Sequence, residues 1–125
     1  MNVVLVDTSV WVEHFRQSQP ALVNLLMMDS VLVHPLVIGG IACGTPPNRT
    51  QTLADLDSLP SVKQASFAEV LSFIEREALY GLGCGLVDIN LLASTMLTSG
   101  AQLWTLDKRL SALAQRFGVL YQPAH

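Results

Sequence analysis

Three aspartates sit where surface carboxylates rarely do: Asp7, Asp88 and Asp107 are each flanked by apolar sequence. Asp7 directly follows the β-branched run at 3–6, and Asp107 follows the apolar segment Leu103-Trp104-Thr105-Leu106 in the same manner. In an open α/β sheet ligands bind in the crevice beyond the carboxyl ends of the strands, so both acids are placed like site residues. They meet at one rim if their strands are neighbours, about 4.8 Å apart. At helical spacing Asp88 shares a face with Leu91, Leu92, Thr95 and Met96, which predicts a carboxylate substantially shielded from water. An ionised carboxylate in such surroundings needs a compensating cation, and the chain holds only seven Lys and Arg. Three converging acids therefore point to a hard divalent ion, Mg²⁺ or Mn²⁺. A plainer reading stays open for each: Asp7 and Asp107 as helix N-caps, and Asp88 as the acid that a helix dipole favours near its N-terminus.

Other acid-based phosphate chemistries fit less well. A phosphate-accepting receiver domain wants adjacent acids after its first strand and a late Lys, and a haloacid-dehalogenase-type phosphatase wants Asp-x-Asp there. This chain reads Asp7-Thr8-Ser9. Cys43 and Cys84 form no C-x-x-C pair and have no His beside them, which excludes zinc and redox motifs and predicts two buried thiols.

The elements that would hold the acids in place alternate. Strands are predicted at 3–6, 31–33, 102–106 and 119–121, with an uncertain extended piece at 61–64. Helices are predicted at 10–16 with Thr8 or Ser9 as N-cap, from Pro20 to the turn at Asp29-Ser30, from His34-Pro35 to Cys43, and at 51–58. Ser66 and Glu69 form a capping box opening a helix to about Tyr80 that Gly81 ends, and two more follow at 87–98 and, capped by Asp107, at 108–117. This alternation predicts an α/β fold with a parallel sheet covered by helices on both faces.

At 125 residues and 13.6 kDa there is room for one domain, spanning 1–125. A half-hydrophobic composition with mean hydropathy +0.42 excludes a disordered chain. No apolar run reaches the roughly 18 residues that cross a bilayer, so no membrane contact is expected. The apolar surplus predicts a partner covering part of the surface, in an oligomer or complex. A net charge of −3 and a pI near 5.4 exclude gripping nucleic acid by bulk charge, so any such contact is local. The N-terminus lacks the pattern of a secretory signal, which leads to the expectation of a cytoplasmic protein.

Taken in order, Val4-Leu5-Val6-Asp7-Thr8-Ser9-Val10-Trp11, His34-Pro35-Leu36-Val37-Ile38-Gly39, Tyr80-Gly81 through Val87-Asp88, Leu91-Leu92-Ala93-Ser94 and Leu103-Trp104-Thr105-Leu106-Asp107-Lys108-Arg109-Leu110 resemble the PIN-domain ribonucleases of the VapC toxin type. The resemblance covers almost the whole chain. It implies a single PIN domain with a parallel sheet of roughly four or five strands, an acidic cluster binding Mg²⁺ (Mn²⁺ substituting), and metal-assisted hydrolysis of RNA. Asp7, Asp88 and Asp107 would be metal ligands and catalytic residues; Thr8, Ser9 or Thr105 would orient a ligand or touch phosphate. Lys108 and Arg109 are the candidate RNA contacts, with Arg16 and Arg116 behind them. The implied partners are an RNA substrate, a cognate VapB-type antitoxin and a second copy of the chain.

One position departs from the family pattern. Where the family carries Glu within Ile-Gly-Glu-Leu-Ala, this chain reads Ile38-Gly39-Gly40-Ile41-Ala42, so the fourth carboxylate is missing at Gly40. The resemblance then implies a weakened endoribonuclease or, alternatively, a catalytically silent PIN domain that binds an antitoxin in an autoregulatory complex. Glu13 lies too far along the first helix to stand in.

Overall fold

Successive residues of a strand face opposite sides of a sheet, so a strand that is apolar at every position must be covered twice. In the computed structural model, which describes residues 2–123, β1 (Val3–Val6) meets that demand: Val4, Leu5 and Val6 are all 0% exposed. It is the central strand of a three-stranded parallel sheet, between β2 (Val31–Leu32) and β3 (Ala101–Trp104), in the order β2-β1-β3. The register pairs Leu5 with Leu32 and Val6 with Trp104, so the carboxyl ends of β1 and β3 lie side by side.

Seven helices complete the described residues: α1 (Thr8–Arg16), α2 (Pro20–Met27), α3 (Pro35–Ala42), α4 (Arg49–Asp57), α5 (Phe67–Glu77), α6 (Leu86–Leu97) and α7 (Lys108–Arg116). α6 packs on β3 and carries α5 and α7, while α1, α3 and α4 form a second packed group. Their apolar faces join the sheet in one hydrophobic cluster. No helix among the described residues is long and apolar enough to cross a membrane.

The α/β class and parallel sheet agree with the sequence reading, but its four or five strands are met by three. A single parallel bridge extends each edge, Val33 with Ser61 and Leu103 with Leu120. The segment at 61–64 stops pairing because Lys63 donates its N–H to the Thr98 hydroxyl at 2.9 Å and Ala65 to the Ser94 hydroxyl at 3.0 Å. At the other edge Leu103 exchanges two backbone bonds with Val119 and Tyr121, and Pro123 then offers no donor.

Other boundaries moved for local reasons. β3 ends at Trp104 instead of 106 because the chain turns there, the Asp107 N–H closing on the Thr105 hydroxyl at 3.1 Å. α1 is capped by Asp7, not by Thr8 or Ser9. α5 ends at Glu77 through a left-handed Ala78, well before Gly81, as the Leu79 N–H reaches back to the Ile74 carbonyl at 2.9 Å. The expectation of two buried thiols fails: Cys43 is exposed at the end of α3 and Cys84 is half-buried in the loop before α6.

Candidate active site

Asp7 is 7% exposed, and its carboxylate is held from three sides. Oδ1 accepts the Thr8 backbone N–H at 2.8 Å, which caps α1, and Oδ2 accepts the hydroxyls of Ser9 at 2.8 Å and Thr105 at 2.7 Å. Each hydroxyl also accepts a backbone N–H from the turn after β3, Ser9 from Leu106 and Thr105 from Asp107, both at 3.1 Å. A carboxylate accepting several hydrogen bonds is fixed in orientation. The two hydroxyls thus tie the end of β1 to the end of β3 and set Asp107 relative to Asp7.

Asp107 caps α7, its Oδ1 accepting the Leu110 N–H at 2.9 Å and leaving Oδ2 free. Asp88 lies in the first turn of α6, half-buried. The shielding expected for it is therefore partial, because Met96 on the same face is 42% exposed and the face is not wholly core. Burial pushes the Asp88 carboxyl above its ordinary range, and the charges of Asp7 and Asp107 push it further, against a backbone hydrogen bond at Gly85. The aspartates thus feel one another although they are far apart in sequence. The Cys84 thiol is raised by burial and by Asp88 and Asp107, with Arg109 opposing, which puts these groups in one neighbourhood. The ion pair found among the described residues is elsewhere, Arg16 with Glu13 at 3.9 Å, so no basic side chain pairs with the three acids.

A Cβ built on Gly40, in α3, would come 3.2 Å from the hydroxyl oxygen of Thr8, the residue after Asp7. Over 116 residues, 93% of this chain and 94% of the relative, the sequence is 46% identical to Ribonuclease VapC32 of Mycobacterium tuberculosis, in both the CDC 1551 and H37Rv strains. The chain belongs to the VapC ribonuclease family. No family model matches it.

In this VapC chain the donor set suits a hard divalent cation: carboxylate oxygens, mutual repulsion and no basic partner. Among the described residues no three His, Cys, Asp or Glu side chains form a ready metal cage. The rim is open; a hollow of about 450 Å³ lies elsewhere, between α5 and α6, lined by Phe73, Arg76 and Leu97.

Sequence reading missed two features of the site. The His34 imidazole, 2% exposed, accepts the Leu36 N–H at Nδ1 (3.0 Å) and so donates from Nε2 to Asn90 Oδ1 (3.1 Å), fixing α3 against the helix that carries Asp88. The glycine-punctuated loop at 81–85 lies under Arg109, whose guanidinium a Cβ on Gly83 would strike at 2.7 Å. The alternating glycines ahead of Asp88 were the signal for the second; an isolated His-Pro carries none for the first.

Proposed function

We propose that this chain is the toxin of a type II toxin–antitoxin pair, an endoribonuclease that uses Mg²⁺ at Asp7, Asp88 and Asp107 and is weakened by glycine at position 40. The observation that carries this reading is that Asp7 and Asp107 follow the neighbouring ends of β1 and β3, tied together through Thr105, with Asp88 near enough for both charges to act on it. Asp7 is oriented by Thr8, Ser9 and Thr105, and Asp107 contributes the oxygen that capping leaves free. Asp88 completes the acidic rim from the opposite helix. When bound, the ion supplies Lewis acidity toward a phosphoryl oxygen and toward water. Exposed apolar residues, among them Val12, Leu36, Phe67 and Leu71, support a VapB-type antitoxin and a second copy as partners.

The test is cleavage of a structured RNA with and without Mg²⁺. Cleavage that needs the ion and disappears in Asp7→Asn supports the reading; cleavage that survives Asp7→Asn overturns it. Gly40→Glu adds a carboxylate where Thr8 is the neighbour, and rotation of the Thr8 side chain relieves the 3.2 Å approach. It is expected to raise the rate about ten- to a hundredfold, the scale on which groups supporting a metal site act. The bare corner at Gly40 also favours a second reading, a silent PIN domain that binds an antitoxin. Absence of cleavage in wild type and Gly40→Glu, with antitoxin binding intact, decides for it.

A further inference from the structure

Two basic residues open α7, and they point different ways. Lys108 lines a shallow hollow with Trp104, Leu106 and Tyr121. Arg109 lies over the backbone of Gly83, whose φ of +83° and missing Cβ make room for it. A side chain at position 83 would collide with Arg109 Cδ and Nη1, both at 2.7 Å.

The stability of α7 does not explain this placement, since a cation in the first turn of a helix opposes the macrodipole. Nor does ion pairing: Arg109 makes no salt bridge with Asp88 or Asp107 although it acts on the same Cys84 thiol as they do. Its guanidinium thus lies where a Gly83 side chain would be, near the acidic rim, and makes no hydrogen bond or ion pair among the described residues. A planar fork held in this way is suited to a phosphate, which it can bind through two parallel N–H···O bonds. The three aspartates repel a polyanion, so a nucleic acid entering the rim needs a fixed positive group near them.

We propose that Arg109, laid across Gly83, is the phosphate-holding residue that seats RNA beside the acidic rim. This rests on the ribonuclease reading for its substrate. Gly83 is the positioning residue: it acts only by leaving space for the guanidinium.

The experiment measures binding and cleavage separately. Fluorescence anisotropy of a labelled single-stranded RNA oligonucleotide in EDTA gives Kd without turnover; cleavage with Mg²⁺ gives KM and kcat. Arg109→Gln is expected to raise Kd and KM about tenfold, leave kcat within about twofold, and reduce the salt dependence of binding by about one phosphate contact. Arg109→Lys, which keeps the charge but loses the fork, recovers only part of the affinity. Arg76→Gln removes the same charge from α5 and changes Kd less than about twofold. Gly83→Ala weakens binding while its charge is unchanged, and adding it to Arg109→Gln weakens binding no further, because both remove one contact. Equal effects of Arg109→Gln and Arg76→Gln, a fall in kcat at unchanged KM, or additive losses in the double variant overturn the proposal. Binding that depends on Arg109 in a chain that does not cleave supports it while defeating the nuclease reading; Asp7-dependent cleavage indifferent to Arg109 does the reverse.

Discussion

The first turn of α5 and the first turns of α1 and α7 meet the same need, orphan backbone N–H groups, with different side chains. At α5 the solution is reciprocal and closed: Glu69 N–H donates to the Ser66 hydroxyl at 3.1 Å and Ser66 N–H to the Glu69 carboxylate at 2.9 Å. At α1 and α7 an aspartate caps alone, Asp7 through Oδ1 to Thr8 and Asp107 through Oδ1 to Leu110. The difference is where the second oxygen lies. Glu69 uses one oxygen in the box and holds the other at the exposed start of α5, whereas Asp7 turns its Oδ2 to the hydroxyls that tie β1 to β3 and Asp107 keeps an Oδ2 with no partner among the described residues. Capping and metal binding are therefore not competing explanations of Asp7 and Asp107, since one carboxylate has oxygens for both.

Separating the two roles gives the largest expected effect. Ser caps about as well as Asp but carries no charge. Asp107→Ser is thus expected to change unfolding free energy by less than about 0.5 kcal/mol and to lower Mg²⁺-dependent cleavage at least about a hundredfold. A variant that cuts RNA normally would falsify the assignment of Asp107 to the metal.

Asp88 is not an N-cap, though its carboxyl meets the backbone at Gly85, and it sharpens the contrast because on balance folding disfavours its charge. Its carboxyl is raised by burial and by Asp7 and Asp107, so the ionised group costs stability at neutral pH and acidification relieves the cost. Asp88→Asn is expected to raise the urea midpoint of the metal-free protein while abolishing cleavage. Mg²⁺ should raise the midpoint of wild type more than that of Asp88→Asn, since only the former gains an ion opposite the full acid set. A lower midpoint in metal-free Asp88→Asn would mean that Asp88 is structural.

Much of this was readable from residue types in order. The run at 3–6 ending in Asp7, the Ser66–Glu69 box, Pro20 opening α2 and Asp107 before α7 are local signals, and local hydrogen bonds realise them. What could not be read depends on competition across the fold. Whether 61–64 is a strand depends on Thr98 and Ser94, which take the N–H groups of Lys63 and Ala65 from 35 and 29 residues away. Periodicity likewise puts Asp88 on an apolar face but cannot say that the face is half-covered. Nor does it say that Arg109 crosses Gly83 while Lys108 turns away.

His34 caps α3 with a ring nitrogen, a third solution to the same need, and one that is sensitive to pH. Burial holds its pKa below the ordinary 6.5, with the bond to Asn90 opposing. As pH falls the unfolded chain takes the proton first, so the stability from neutral His34 is whole above about 6.5 and lost as pH drops toward the folded value. Urea midpoints are expected to fall between about pH 7.5 and about pH 5.5. His34→Asn, which retains a capping oxygen, should flatten that fall. An unchanged slope would assign the acid sensitivity to another group.

Ser66→Ala has the smallest expected effect and bounds the comparison from the other side. It removes the hydroxyl that caps α5 and should cost about 1 kcal/mol of unfolding free energy. The Glu69 carboxyl is held below its ordinary value chiefly by the Ser66 backbone N–H and next by the Ser66 side chain, so its titration should move part of the way back up in the variant, as carboxyl NMR resonances would record. RNA cleavage should not change, because the box lies at the start of α5, beside the hollow between α5 and α6 and not at the rim. If cleavage falls with stability here as it does in the aspartate variants, the loss reports general loosening of the fold, and the distinction between a cap that is only a cap and one that also serves the rim disappears.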